Sequence, residues 1–139
     1  MKRTSGLFSG TTGAKKVIGT ALSVSPKTFS SPDPLVGDLA TDIEKTYTGK
    51  VLGVNVDVFD STGKKVTDLD IETDSMVVQV KSGRGTGLTK QMIKTQSVTS
   101  KEVVAYGPKL GKHVIKSVEA LGFKVFTEKG KLLDYMGGK

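Results

Sequence analysis

The chain contains no cysteine, so disulfide frameworks and thiolate metal sites are excluded. It has a single histidine, His113. That excludes histidine-rich metal sites and argues against a Ser-His-Asp triad. No apolar run approaches the roughly 20 residues of a membrane-spanning helix. Val17 to Val24 is too short and too polar for the apolar core of a signal peptide. Acidic residues are in the minority, at 14 Asp and Glu against 21 Lys and Arg, which gives a net charge of +7. Such an excess of positive charge favours a polyanionic partner, with nucleic acid ahead of an acidic membrane surface. The plainer alternative is a soluble domain that is merely basic.

The 139 residues are enough for one domain with its own core. The 17 glycines suggest many tight turns. Residues 1–31 are rich in Ser, Thr, Gly and Lys with little periodicity, and read as a loosely packed lead-in to a single domain over 32–139. Asp33 and Pro34 form a helix start. Leu35, Leu39, Ile43 and Tyr47 then recur every fourth residue as an apolar stripe that Gly49 ends. Glu44 belongs to the neighbouring row with Val36 and Ala40, at the edge of the buried face.

Val51 to Phe59 alternates as a strand, with Leu52, Val54, Val56 and Val58 expected on one side. Asp60 to Gly63 is a hairpin turn. Val66 to Glu72 returns as a second strand carrying Asp68, Asp70 and Glu72 on one side. Met76, Val78 and Val80 share one face of a third strand, while Val77, Gln79 and Lys81 share the other. A glycine-rich loop, Gly83-Arg-Gly-Thr-Gly87, leads into a helix over Leu88 to Gln96. Glu102 to Tyr106 is a fourth strand. A helix starts near Pro108 and stops at Gly122, and Phe123 to Phe126 is a last strand. The expected class is α/β with a mixed sheet.

The most informative stretch is residues 66–83, VTDLDIETDSMVVQVKSG. It sets a carboxylate, Asp70, on one strand beside an amide and a lysine, Gln79 and Lys81, on the next. Metal-assisted phosphodiester cleavage needs carboxylates to hold the cation and a positive group near the attacking water or the phosphate. The Val80 carbonyl offers another oxygen, and Glu44 is expected to reach over the same end of the sheet. Asp68 and Glu72 read mainly as solvated strand residues, with Asp68 as the alternative ligand. The glycine-rich loop matches no nucleotide-binding fingerprint. Its expected role is a close approach to a phosphate, with Arg84 and Lys90 adding charge. Lys109, Lys112 and Lys116 either extend a basic surface or are solvated helix residues, and His113 reads as a surface residue.

The D…(E/Q)xK pattern and the order of elements over residues 34–127 resemble the PD-(D/E)XK nuclease superfamily. The resemblance implies a restriction-endonuclease-like αβββαβ core with an extra C-terminal helix and strand. It implies that Glu44, Asp70, Gln79 and Lys81 are the catalytic set, and that Asp70, Glu44, Gln79 and Val80 hold the metal. Mg²⁺ or Mn²⁺ would suit these oxygen ligands, with Zn²⁺ as the alternative. Gln79 stands where Glu is usual and brings no charge. Gln91 matches a polar position often used near the site in this superfamily, beside Arg84 and Lys90 as nucleic-acid contacts.

The chain also resembles the C-terminal toxin domains of bacterial contact-dependent growth inhibition and related polymorphic toxins. That likeness implies a monomeric module excised from something longer and delivered into the target-cell cytoplasm. A cognate immunity protein would neutralise it, and its substrate would be tRNA ahead of DNA. No base-reading motif or aromatic stacking cluster separates RNA from DNA. The alternatives are a catalytically inactive nucleic-acid-binding module of the same fold, a junction resolvase or small restriction-type endonuclease, and an ordinary basic α/β domain.

Overall fold

The computed structural model describes Lys2–Arg3 and residues 27–138. Helix α1 spans Pro34–Thr46. It starts where Asp33, in extended conformation, accepts a hydrogen bond from the Leu35 amide at 3.0 Å through Oδ1. That cap satisfies one of the first-turn donors that a helix cannot pair internally. Strands β2 (Val51–Phe59), β3 (Lys65–Thr73) and β4 (Met76–Val80) form an antiparallel meander. Asp60 Oδ1 closes the first turn by accepting from the Thr62 and Lys64 amides. Thr73 Oγ1 closes the second by accepting from the Ser75 and Met76 amides.

Helix α2 (Leu88–Gln96) then carries the chain to β5 (Glu102–Tyr106), which lies parallel to β4. Helix α3 (Lys112–Ala120) leads to β6 (Lys124–Phe126), parallel to β5, and helix α4 (Lys129–Gly137) closes the described chain. The five strands β2–β6 make a mixed sheet in sequence order, and Lys2–Arg3 (β1) adds a two-residue edge beside β2. The protein is of the mixed α/β class.

Helices cover both faces of the sheet, as burying two apolar faces requires. On one side Leu39 and Ile43 of α1 and Leu132 and Met136 of α4 pack on Ile71, Met76 and Val78. On the other, Leu88 and Met92 of α2 and Val118 of α3 pack on Leu69, Val77 and Val103.

Three expectations are corrected. First, the apolar side of β2 is not one face. Leu52 is 47% exposed, Val54 packs toward α1, and Val56 and Val58 belong to the α2 side. Two irregularities are responsible: a register shift between Val51 and Gly53 sets Leu52 off the ladder, and Asn55 has a φ of 51°. Asn is among the few side chains that tolerate this left-handed conformation. The register runs Val54↔Ile71 and Val56↔Leu69, and the Asn55–Asp70 step between them is not paired. Leu69 and Ile71 accordingly enter opposite cores. Asp70 stands where its strand changes face.

Second, the chain does not end its elements at Phe126 as expected, because α4 follows it. The stretch between Gly130 and Gly137 holds only about one turn of apolar spacing, too little to signal a helix by period. Tertiary contacts hold it: Tyr47 donates its hydroxyl to the Leu133 carbonyl at 2.7 Å, and Lys129 pairs with Asp42. Third, the end of the expected lead-in is packed. The Phe29 amide and carbonyl both bond Thr41 Oγ1. A Cβ on Gly37 would lie 3.2 Å from the Phe29 carbonyl oxygen, so glycine is what lets this segment cross α1 closely. Met1 and residues 4–26 of the expected lead-in lie outside the described residues.

Candidate functional site: a cleft where two strands part

The β3–β4 ladder pairs Glu72 with Val77 and Ile71 with Val78, then stops. At the next step side chains replace the ladder. Gln79 Oε1 accepts from the Asp70 amide at 2.8 Å, and Asp70 Oδ2 accepts from the Val80 amide at 2.8 Å. Strand β4 continues beside β5 to Val80↔Tyr106, and the Lys81 amide still donates to the Tyr106 carbonyl. The strands therefore part on one side of β4 only.

A cleft of about 690 Å³ opens there. Asp68 and Asp70 of β3, Lys81 after β4, Arg84 of the glycine-rich loop and Gln91 of α2 line it. The segment before α1 forms the remaining wall. Ser31 Oγ donates to Asn55 Oδ1 at 2.7 Å and accepts from the Asp33 amide at 3.1 Å. That clasp ties the helix start to the point where β2 coils.

Burial pushes the Asp70 carboxyl up to about 6 from its ordinary 3.8, and the negative charges of Asp68 and Asp33 push the same way. The Val80 amide and the Lys81 charge oppose the rise. Asp70 Oδ1 has no hydrogen-bond partner among the described residues. Gln91 Oε1, by contrast, is fully buried and has no hydrogen-bond partner. A buried orphan acceptor costs free energy on the order of 1–3 kcal/mol unless a water, ion or ligand meets it.

The expected site residues separate into two groups. Asp70, Val80, Lys81, Arg84 and Gln91 line this cleft, and Asp68 joins them. Gln79 does not enter it as a ligand. It is 0% exposed, and its amide nitrogen donates to the Asp68 carbonyl at 3.0 Å and to Thr95 Oγ1 at 2.7 Å. With Oε1 accepting from the Asp70 amide, the side chain is engaged at both its oxygen and its nitrogen, and it acts as a buried brace between β3, β4 and α2.

Glu44 is also corrected. Val36 of α1 lines the cleft, but Glu44 lies eight residues later, about 12 Å further along the axis. Its Oε2 accepts from the Gly49 amide at 2.9 Å and so fastens the turn after α1. Glu72 is buried and paired with Lys101 at 2.8 Å, which overturns its reading as a solvated residue. Lys90 and His113 lie together in a separate cleft. Lys109, Lys112 and Lys116 are exposed.

Sequence reasoning missed Ser31 and Asn55. One signal was available: a lone Asn in an otherwise Val-rich strand opposes strand propensity.

Among the described residues no three carboxylate or imidazole groups converge as a ready-made metal cluster. The cleft instead gathers three carboxylates, Asp33, Asp68 and Asp70, beside Gln91, whose amide oxygen is buried without a partner. An all-oxygen donor set of this kind fits a hard divalent cation. No family model, curated protein or solved structure matches the chain.

Proposed function

We propose that this protein is a metal-dependent nuclease of the PD-(D/E)XK type. The observation that carries the reading is the meeting of Asp70 and Lys81 in one cleft, with the carboxyl group desolvated and the lysine charge acting on it. The order from α1 through β5 supports it, being the αβββαβ arrangement of that superfamily's core. The net charge of +7 supports a nucleic-acid substrate.

Asp70, Asp68 and Gln91 would hold Mg²⁺ or Mn²⁺, with Zn²⁺ as the alternative. A divalent ion supplies Lewis acidity at the phosphate and lowers the pKa of water. The protein's own groups do the rest. Asp70 Oδ2 stays on the Val80 amide and so fixes the direction of Oδ1. Lys81, held by the β4–β5 pairing just before it, positions the attacking water and offsets negative charge on the phosphate. Arg84 sets the phosphate from the loop side. The toxin role, delivery into a target cell and neutralisation by an immunity protein belong to the same proposal, with tRNA placed ahead of DNA as substrate.

A catalytically inactive nucleic-acid-binding module is the second reading. What favours it is the engagement of Gln79 in bracing, which leaves fewer ligands than the family pattern.

The test incubates the protein with total tRNA and with plasmid DNA in Mg²⁺, Mn²⁺, Zn²⁺ or EDTA. Wild type is expected to cut one substrate in a metal-dependent way. Asp70→Asn and Lys81→Ala are each expected to lose on the order of 10²–10⁴-fold in rate, whereas Glu44→Gln keeps it. Wild-type protein that binds both substrates and cuts neither selects the second reading.

A further inference from the structure

The glycine-rich loop has two sides. One side, through Arg84, Gly85 and Thr86, lines the cleft just described. The other opens on a second cleft of about 460 Å³, formed by Gly85, Thr86, Gly87, Lys90, His113 and Ser117. Gly85 and Thr86 border both, so the two clefts lie on either side of one loop wall.

Their chemistry differs. The first cleft mixes carboxylates with cations, whereas no residue lining the second carries a carboxylate. The second holds an ammonium, an imidazole and several hydroxyls, the set that meets phosphate and sugar oxygens. The loop is built to keep its backbone there. Gly85 sits at φ 101°, where a Cβ would come within 2.8 Å of Leu110 and 2.9 Å of Val114, so the loop is seated directly on α3 and its lead-in. Gly87 sits at φ 81° with open space beside it, which leaves its backbone accessible from the cleft.

We propose that the second cleft binds the sugar–phosphate backbone of the same nucleic-acid strand, next to the phosphate held in the first. This rests on the nuclease reading for the first cleft but assigns Lys90, His113 and the loop backbone a separate duty. They anchor the strand and take no part in bond cleavage. Because the lining groups address phosphate and sugar, the contact is independent of base sequence.

The test uses a labelled RNA oligonucleotide and its DNA counterpart. Anisotropy in EDTA measures binding, and turnover in Mg²⁺ measures kcat and KM. Compared are the wild-type chain, a Lys90→Gln/His113→Gln double variant and Lys64→Gln, which removes an exposed charge on the distant β2–β3 hairpin. The double variant is expected to bind about tenfold more weakly, with a salt slope shallower by about one. Its KM rises in step while kcat holds, and its melting temperature is unchanged because both residues are exposed.

A double variant that binds like wild type overturns the proposal. So does equal weakening by Lys64→Gln, or a wild-type chain that binds neither oligonucleotide. Binding that depends on Lys90 and His113 in a chain that never cleaves keeps the second cleft and removes the nuclease reading. Cleavage with unchanged KM in the double variant does the reverse.

Discussion

The two ends of the β3–β4 pair carry carboxylates of one acidic run and treat them in opposite ways. At the closed end Glu72 is 1% exposed and pairs with Lys101, whose ammonium also donates to the Thr73 carbonyl at 2.6 Å. Charge there is answered by protein. At the open end, only two residues earlier on the same strand, Asp70 is also desolvated, yet its neighbours include two further carboxylates. Charge there is answered only in part, by the Val80 amide and the Lys81 charge. The contrast separates a carboxylate that holds the fold from one that strains it, although the sequence presents them as equivalent members of one acidic run.

Removing the cation at the closed end should have the largest effect on stability. Lys101→Ala is expected to cost about 3–5 kcal/mol, because it withdraws the counter-charge from a buried carboxylate. Urea denaturation would measure it, and a loss below about 1 kcal/mol would place Glu72 with the solvated carboxylates after all.

The bracing role of Gln79 is sharpened by Gln79→Glu. If Gln79 stood in for a catalytic acid, restoring the carboxylate would strengthen metal binding and preserve the fold. In this structure it instead replaces a donor with an anion facing the Asp68 carbonyl and Thr95 Oγ1. A destabilisation of about 3 kcal/mol with no gain in metal affinity is expected. Calorimetric titration of Mn²⁺ into the folded variant decides between the two.

The smallest effect has the opposite sign. Asp70 titrates near 6 in the folded chain against 3.8 ordinarily. The folded state therefore holds its proton more tightly, and the benefit is fully present below pH 3.8 and lost as pH rises through 6. In EDTA, Asp70→Asn keeps an acceptor for the Val80 amide and removes the buried charge. At pH 8 it should be more stable than wild type by about 1–2 kcal/mol, within the ~3 kcal/mol ceiling that the shift sets. The gain should vanish near pH 4. Equal melting temperatures at pH 8 would show that Asp70 carries no strain.

The features legible in the sequence are those that depend on neighbours along the chain. The helix start at Asp33 and Pro34, the meander, the glycine-rich loop and the pairing of Asp70 with Lys81 near one strand end are all local spacings. What was not legible depends on partners far away. The two donors of Gln79 find targets on β3 and α2 only after the sheet and helix have met. Glu44 lies on a row that faces the sheet, but where along the sheet it lands depends on how α1 is docked. The strand reversal at Asn55 defeats simple alternation because one left-handed residue turns the following side chains to the other core.

Parting two strands inside a sheet makes a pair of new edges, and edges invite pairing. An uncapped amide on either strand would favour zipping the cleft shut or adding a strand from another molecule. Here the amides of Asp70 and Val80 are both already occupied, by the Gln79 and Asp70 side chains respectively. The opening is thus sealed against backbone recruitment while its side-chain chemistry stays exposed. A pocket can then persist in the middle of a sheet without becoming a seed for aggregation.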